Sequence, residues 1–250
     1  KDAAKLLEEA FSKKSWKPQS IIFSGNTDCY QPVERRLGIT RSCLEVFLKF
    51  RNPIAIITKN ALVQRDVDIL KELAKFNLVR VIISITSLKK DIQRKMEPRT
   101  SIPDRRLQTV EFLSANGIST GINFAPVIPG LTDEEIPSIL KEASLRGAKH
   151  AGIVMLRLPH DVKDLFVEWV RREFPERSNK IINRIKELNG DNLYNSKFGT
   201  RMTGEGEWAG TVQKIFETNC KKYNFNLEKI PLSTEHFRRN LKGQIDLFSE

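Results

Sequence analysis

A partial β/α barrel of parallel strands is the fold class this sequence predicts, and three observations carry the prediction. Five short apolar runs alternate with helical patterns at a spacing of roughly 25 to 35 residues, the rhythm of right-handed βαβ units. The runs are apolar at successive positions, as strands buried on both faces are. Each run ends in polar or glycine residues, so the five ends can line one mouth, the place where ligands sit in parallel α/β folds. An open parallel sheet satisfies the same pattern.

The elements follow in order. Residues 1–14 have helical spacing, with Ala4, Leu7, Ala10 and Phe11 on one side, and Trp16-Lys17-Pro18 ends the run. The first strand is Ile21-Ile22-Phe23, which stops at Ser24-Gly25-Asn26-Thr27-Asp28, a loop of small and hydrogen-bonding groups. In that loop Gly25 lets a ligand approach the backbone and Asp28 offers a carboxylate to an amine; an ordinary Asn/Asp turn is the alternative. A helical pattern spans residues 32–49, with Leu44, Phe47 and Leu48 on one face, and Asn52-Pro53 breaks it. The second strand is Ile54-Ala55-Ile56-Ile57, ending at Thr58-Lys59-Asn60. A helix over 66–76 leads to the third strand, 79–85, which ends around Ser84, Thr86 and Ser87. Ser101 and Pro103 mark the start of a helix that stops at Asn116-Gly117. The fourth strand covers 118–127 and leaves through Ile128-Pro129-Gly130-Leu131. Thr132-Asp133-Glu134-Glu135 reads as a capping box opening a helix that Gly147 closes. The fifth strand covers 151–158, and helices over 162–173 and 178–188 follow. Residues 1–189 thus form the barrel-like part, and 190–250 a loop, one more helix over 208–223 and a polar wrapping tail.

The totals narrow the function classes. A chain of 250 residues can bury a sizeable core, and no apolar run approaches the roughly 20 residues that cross a bilayer. The odd, widely spaced set Cys29, Cys43 and Cys220 argues against a disulfide framework and for a reducing cytoplasm. The net charge of +11 favours a polyanionic partner, nucleic acid first. Arg94, Lys95, Arg99, Arg105 and Arg106 cluster beside the third strand end, where they could hold phosphates; a solvated loop and helix face is the alternative. His150, His160 and His236 lack metal-ligand spacing.

Taken together, several strand ends resemble the radical S-adenosylmethionine superfamily, in its spore photoproduct lyase-like (DNA repair photolyase-like) branch. The residues are Gly25-Asn26-Thr27-Asp28 with Tyr30-Gln31-Pro32, Thr58-Lys59, Ser84-Ile85-Thr86 and Met96-Glu97-Pro98-Arg99-Thr100-Ser101, then the stretch from Ala125 to Asp133 and Leu156-Arg157-Leu158-Pro159. The resemblance implies a [4Fe-4S] cluster that reduces S-adenosylmethionine to give a 5′-deoxyadenosyl radical for hydrogen abstraction. It implies that Asn26 and Asp28 face the amine and ribose, that Lys59 pairs with the methionyl carboxylate, and that Ser84 bonds carboxylate or ribose. Ala125, Pro126 and Val127 would wall the adenine. The family's Cys-x-x-x-Cys-x-x-Cys motif is absent, and its place after the first strand of the family's fold implies cluster ligands upstream of Lys1; a natural pseudoenzyme is the alternative. The hydrogen-donor cysteine of the lyases aligns with Gly25, so Cys29 or Tyr30 would substitute, with packing as the other reading of Cys29.

The expected function is therefore a cytoplasmic radical S-adenosylmethionine enzyme acting on DNA or another nucleic acid. A non-catalytic nucleic-acid-binding module and a cluster-free β/α-barrel enzyme are the rivals, the latter disfavoured by the lack of a Gly-rich phosphate loop. Near the C-terminus, Gln244-Ile245-Asp246-Leu247-Phe248 resembles the peptide by which bacterial proteins dock on the DNA sliding clamp. Leu247 and Phe248 would fill an apolar pocket and Gln244 would bond at its rim.

Overall fold

The computed structural model describes residues 2–25, 27–194, 203–228 and 230–239. Its centre is a five-stranded sheet in which β1 (Ile21–Phe23), β2 (Ile54–Thr58), β3 (Val79–Ser84), β4 (Ser119–Val127) and β5 (His150–Met155) lie side by side in sequence order. Every neighbouring pair is parallel, and β1 and β5 are not paired with each other, so this is a partial, unclosed β/α barrel.

Register sorts the side chains into two faces, because successive residues of a strand point to opposite sides. Ile54, Ile56, Val79, Val81, Ile83, Ile122 and Phe124 fall on one face and are buried with the helices. On the other, concave face Ala55 aligns with Arg80 and Ser119, Ile57 with Ile82, Gly121 and His150, and Ser84 with Asn123 and Gly152. The helices that back the sheet include α1 (Ala3–Ser12), α3 (Ile39–Phe50), α4 (Val67–Ala74), α6 (Pro103–Ala115) and α7 (Ile136–Leu145). Phe11, Leu44, Phe47, Leu70, Leu113 and Leu140 are their core anchors, each at most 1% exposed. A second apolar cluster joins α8 (Val162–Glu173) and α9 (Ser178–Leu188) through Val170, Ile181 and Ile185 to Ile128 and Leu158 at the strand mouth.

Three local expectations are corrected. The helical pattern over 32–49 is two pieces, α2 (Glu34–Leu37) and α3, because Gly38 turns the chain at φ 62° and the Glu34 carboxylate accepts from the amides of Ile39 and Thr40. Thr132 is no capping box: its hydroxyl accepts from the Ile128 amide, while buried Glu135 accepts from Ser87 Oγ and the Leu88 amide. The chain therefore enters α7 through a 3-10 turn, Asp133–Glu135. A helix that periodicity did not single out, α5 (Lys90–Met96), carries part of the basic cluster.

Gly147 does end its helix, at φ 85°, and a Cβ there would collide with the Ser114 side chain. Gly147→Ala should thus lower stability by about 1–2 kcal/mol or more in urea denaturation, since the left-handed backbone alone costs that much.

After α10 (Gly206–Lys222) the chain crosses the N-terminal ends of the strands. Asn226 bonds both the amide and the carbonyl of Ala151, occupying the free edge of β5, and Asn77 bonds the carbonyl of Pro231. Phe237 packs on Phe11 and Phe50. This strap forms the floor of the barrel, opposite the mouth.

Candidate functional site

At the mouth, the loop after β1 is pinned to the end of β2 by Asp28. Its Oδ1 accepts from the Tyr30 amide at 2.9 Å and Thr58 Oγ1 at 2.7 Å, and its Oδ2 from the Lys59 amide at 2.8 Å. Both oxygens are engaged, so Asp28 shapes the loop and positions Lys59. Gly25 is exposed, with open space where a Cβ would stand. Asn26 lies outside the described residues.

Lys59 is one residue past Thr58, which aligns with Ile83, so it continues the register beside Ser84 and Asn123. Its ammonium, 30% exposed, pairs with Oε1 of Glu97. Glu97 also accepts from Thr86 Oγ1 at 2.9 Å and, through Oε2, from Arg106 at 2.6 Å. Arg106 is 1% exposed and donates further to the carbonyls of Ser101 and Ser84. Burial pushes the Glu97 carboxyl up, but Arg106 and then Lys59 outweigh it and hold the group below its ordinary value. This buried triad ties the loop after α5 over the end of β3 and offers one partly exposed cation to the mouth.

Asn123 is the site residue that sequence reading missed. It sits on the concave face between Ser84 and Gly152, and its side chain has no hydrogen-bond partner among the described residues. A Cβ at Gly152 would come 3.2 Å from Asn123 Oδ1, so the glycine keeps this part of the face open. The signal was present in the sequence: Gly121, Asn123 and Ala125 alternate with Ile122 and Phe124.

Other expected residues separate. Ala125 and Pro126 are half-buried at the end of β4, but Val127 is 0% exposed within the helix-side core, so it cannot wall a ligand. Tyr30 is likewise 0% exposed and donates to Asp66 at 3.0 Å; burial, then the Asp66 charge, push its phenol well above the ordinary range. It is corrected from a hydrogen donor to a core residue. Cys29 packs against the same core, and burial pushes its thiol up to about 12. Arg94, Arg99 and Arg105 are exposed, whereas Lys95 is exposed but engaged with Glu173 at 2.9 Å through the backbone carbonyl. Arg106 is corrected: at 1% exposure within the triad, it is out of reach of a phosphate. Gln244, Leu247 and Phe248 lie outside the described residues.

The fit to cofactors divides. An ammonium, an unpartnered carboxamide, the Ser84 hydroxyl and two glycine openings suit a zwitterionic ligand with a ribose. For a metal cluster, no group of three or more His, Cys, Asp or Glu among the described residues could hold an ion. Cys43 and Cys220 are buried and Cys29 half-buried, on separate elements. No helix of the described residues is long and apolar enough to cross a membrane.

An uncharacterised protein of Mycobacterium tuberculosis is 28% identical over 189 residues, 75% of this chain and 54% of its own length. Another, of Methanocaldococcus jannaschii, is 32% identical over 115 residues, 46% of this chain and 43% of its own. The chain spans about half the length of these curated relatives. Among solved structures, a cysteine-to-serine variant of spore photoproduct lyase superposes with a TM-score of 0.59 at 14% identity, over 88% of this chain and 63% of that one. The lyase complexed with dinucleoside spore photoproduct gives 0.56 at 14% over the same shares, and at such identity the likeness is one of fold. The sequence model of the Radical SAM superfamily matches residues 1–143, more than half of the 250, and the chain belongs to that superfamily.

Proposed function

We propose that this chain is the S-adenosylmethionine-holding part of a radical S-adenosylmethionine enzyme that acts on nucleic acid. The observation that carries the reading is the row Lys59, Ser84, Asn123 and Gly152 across the concave face, at the ends of β2 and β3 and midway along β4 and β5, within a chain of this superfamily. An ammonium has three donors. Glu97 fixes one, which aims the side chain and leaves the others for the methionyl carboxylate. Ser84 and Asn123 supply hydrogen bonds to the amine or ribose, Gly25 and Gly152 leave room, and Ala125 with Pro126 gives an apolar surface for the adenine. A reduced [4Fe-4S] cluster with S-adenosylmethionine, when bound, supplies a 5′-deoxyadenosyl radical. The cluster's thiolates are assigned outside the described residues, which do not offer the set. The test is formation of 5′-deoxyadenosine by the full-length protein, reconstituted anaerobically with iron and sulfide and given a reductant. Release of the nucleoside supports the reading; a cluster-loaded protein that leaves S-adenosylmethionine intact overturns it.

Nucleic acid is the proposed substrate class because the net charge is +11 and Arg94, Arg99 and Arg105 stand exposed around the Glu97 loop. The solved lyase bound to a dinucleoside photoproduct, alike in fold, favours the same class. DNA affinity should fall steeply with salt, and replacing those three arginines by alanine should reduce the log–log slope by about 2–3, at roughly 0.9 per phosphate contact. A titration between low and physiological salt that shows no slope would remove this part of the proposal.

A further inference from the structure

A sizeable cavity lies away from the mouth. About 880 Å³ opens at the barrel floor, around the N-terminal ends of β3, β4 and β5 and beneath the strap, with Arg80, Thr120, Lys149 and His150 among its walls. A smaller one of about 350 Å³ shares Arg80 and His150 and is closed by Asn226, Ile230 and Pro231. Floor cavities of a parallel barrel are ordinarily structural. This one is lined by an arginine without a carboxylate partner among the described residues.

Arg80 projects from the concave face and donates to the Ile230 carbonyl at 2.9 Å, but no carboxylate pairs with it among the described residues, and its Nε is buried without a partner. Arg80 lines the 880 Å³ cavity. A guanidinium partly withdrawn from water without a counter-charge is costly. Burial lowers the Arg80 pKa, and burial followed by the Arg80 charge lowers that of His150, so both effects mark positive charge in this region as uncompensated. Lys149 adds a second ammonium-type donor to the walls, and Ser119 a hydroxyl 3.3 Å from His150 Nε2. Glu228 also lines the cavity, with its side chain on the exposed strap, and makes no ion pair with Arg80.

We infer that the floor cavity is a binding site for a phosphate-bearing small molecule, with the phosphate on Arg80 and Lys149 and the organic part against Leu227 and Ile230. The planar fork of arginine suits two oxygens of a tetrahedral anion, and lysine and hydroxyl donors suit the rest. The volume is in the range of about 300–1,000 Å³ that small-molecule sites occupy, so a nucleotide-sized ligand fits where a bare ion would not fill it. Because Arg80 also holds the strap through Ile230, occupancy should protect Asn226, Leu227, Glu228 and Ile230 as well as the floor.

The test uses the full-length protein, titrated by calorimetry with inorganic phosphate and, separately, with a nucleoside 5′-monophosphate. Saturable single-site binding is expected, tighter for the nucleotide, and weakened about tenfold or more by Arg80→Gln, the scale of one lost charge-assisted contact. Lys149→Gln, at an exposed position, should weaken it several-fold and decides the matter if Arg80→Gln does not fold. No saturable binding by the wild type, or affinity unchanged in the variants that fold, overturns the inference. Hydrogen exchange of Asn226, Leu227, Glu228 and Ile230 should slow with the nucleotide; exchange that is unaffected would count against the strap's part in it.

Discussion

Glu97→Ala should be the most destabilising single change at the mouth, by about 3–5 kcal/mol, the usual cost of removing one partner from a buried charge pair. The reason is Arg106. At 1% exposure it has Glu97 as its carboxylate partner, and its other bonds go to the carbonyls of Ser84 and Ser101 and the hydroxyl of Thr100. Without Glu97 a guanidinium would stay buried with neutral acceptors alone. A pH signature accompanies the loss. The Glu97 carboxyl is held below its ordinary value of 4.5, so its stabilisation is complete above that value and is lost as pH falls through the lower, folded one. Wild type should therefore lose stability on the acid side of about pH 4.5, and Glu97→Ala should lose less over that interval, having no such group to titrate. Urea unfolding at pH 7 and across the acid range measures both. A change below 1 kcal/mol at pH 7 would mean the triad is not a structural unit.

Lys59→Ala separates function from folding. The ammonium is 30% exposed, and Glu97 keeps Arg106 and Thr86 without it, so the fold should tolerate the change. Formation of 5′-deoxyadenosine should instead fall below detection, because the cation proposed to orient the methionyl carboxylate is gone. Positioning errors of this kind typically cost a hundredfold or more. Unaltered turnover in a folded, cluster-loaded Lys59→Ala protein would remove Lys59 from the site.

What could be read from the sequence differed by the kind of signal. The strands were legible because unbroken apolar runs bounded by Pro, Gly and Asn are hard to place elsewhere: Ile54–Thr58 and Val79–Ser84 differ by about one residue from the runs seen in the sequence. Lys59 and Ser84 were legible as strand-end residues for the same reason. Arg106 was not, since it sits in a run of charges that resembles a solvated face, and its burial depends on Glu97 arriving from nine positions earlier in the chain. Val127 and Tyr30 were misassigned because position along the chain does not tell which face a side chain takes at a strand end or after a turn. Thr132 matched a capping pattern, but its hydroxyl found the Ile128 amide and Glu135 found Ser87, tertiary partners that local spacing cannot foresee. Arg80, alternating with Val79 and Val81, was present in the pattern as a polar interruption of an apolar strand, as Asn123 was.

Equilibrium titration of the full-length, cluster-loaded protein with S-adenosylmethionine, comparing wild type with Asn123→Ala, tests the site most directly. Asn123 was identified from register and its unpartnered side chain, independently of any resemblance. If the row Lys59, Ser84 and Asn123 holds the ligand, loss of the carboxamide should weaken binding by about fivefold to tenfold, the worth of one hydrogen bond between ligand and protein. Affinity equal to that of the wild type, in a variant with unchanged thermal stability, would contradict the placement of the ligand on this face.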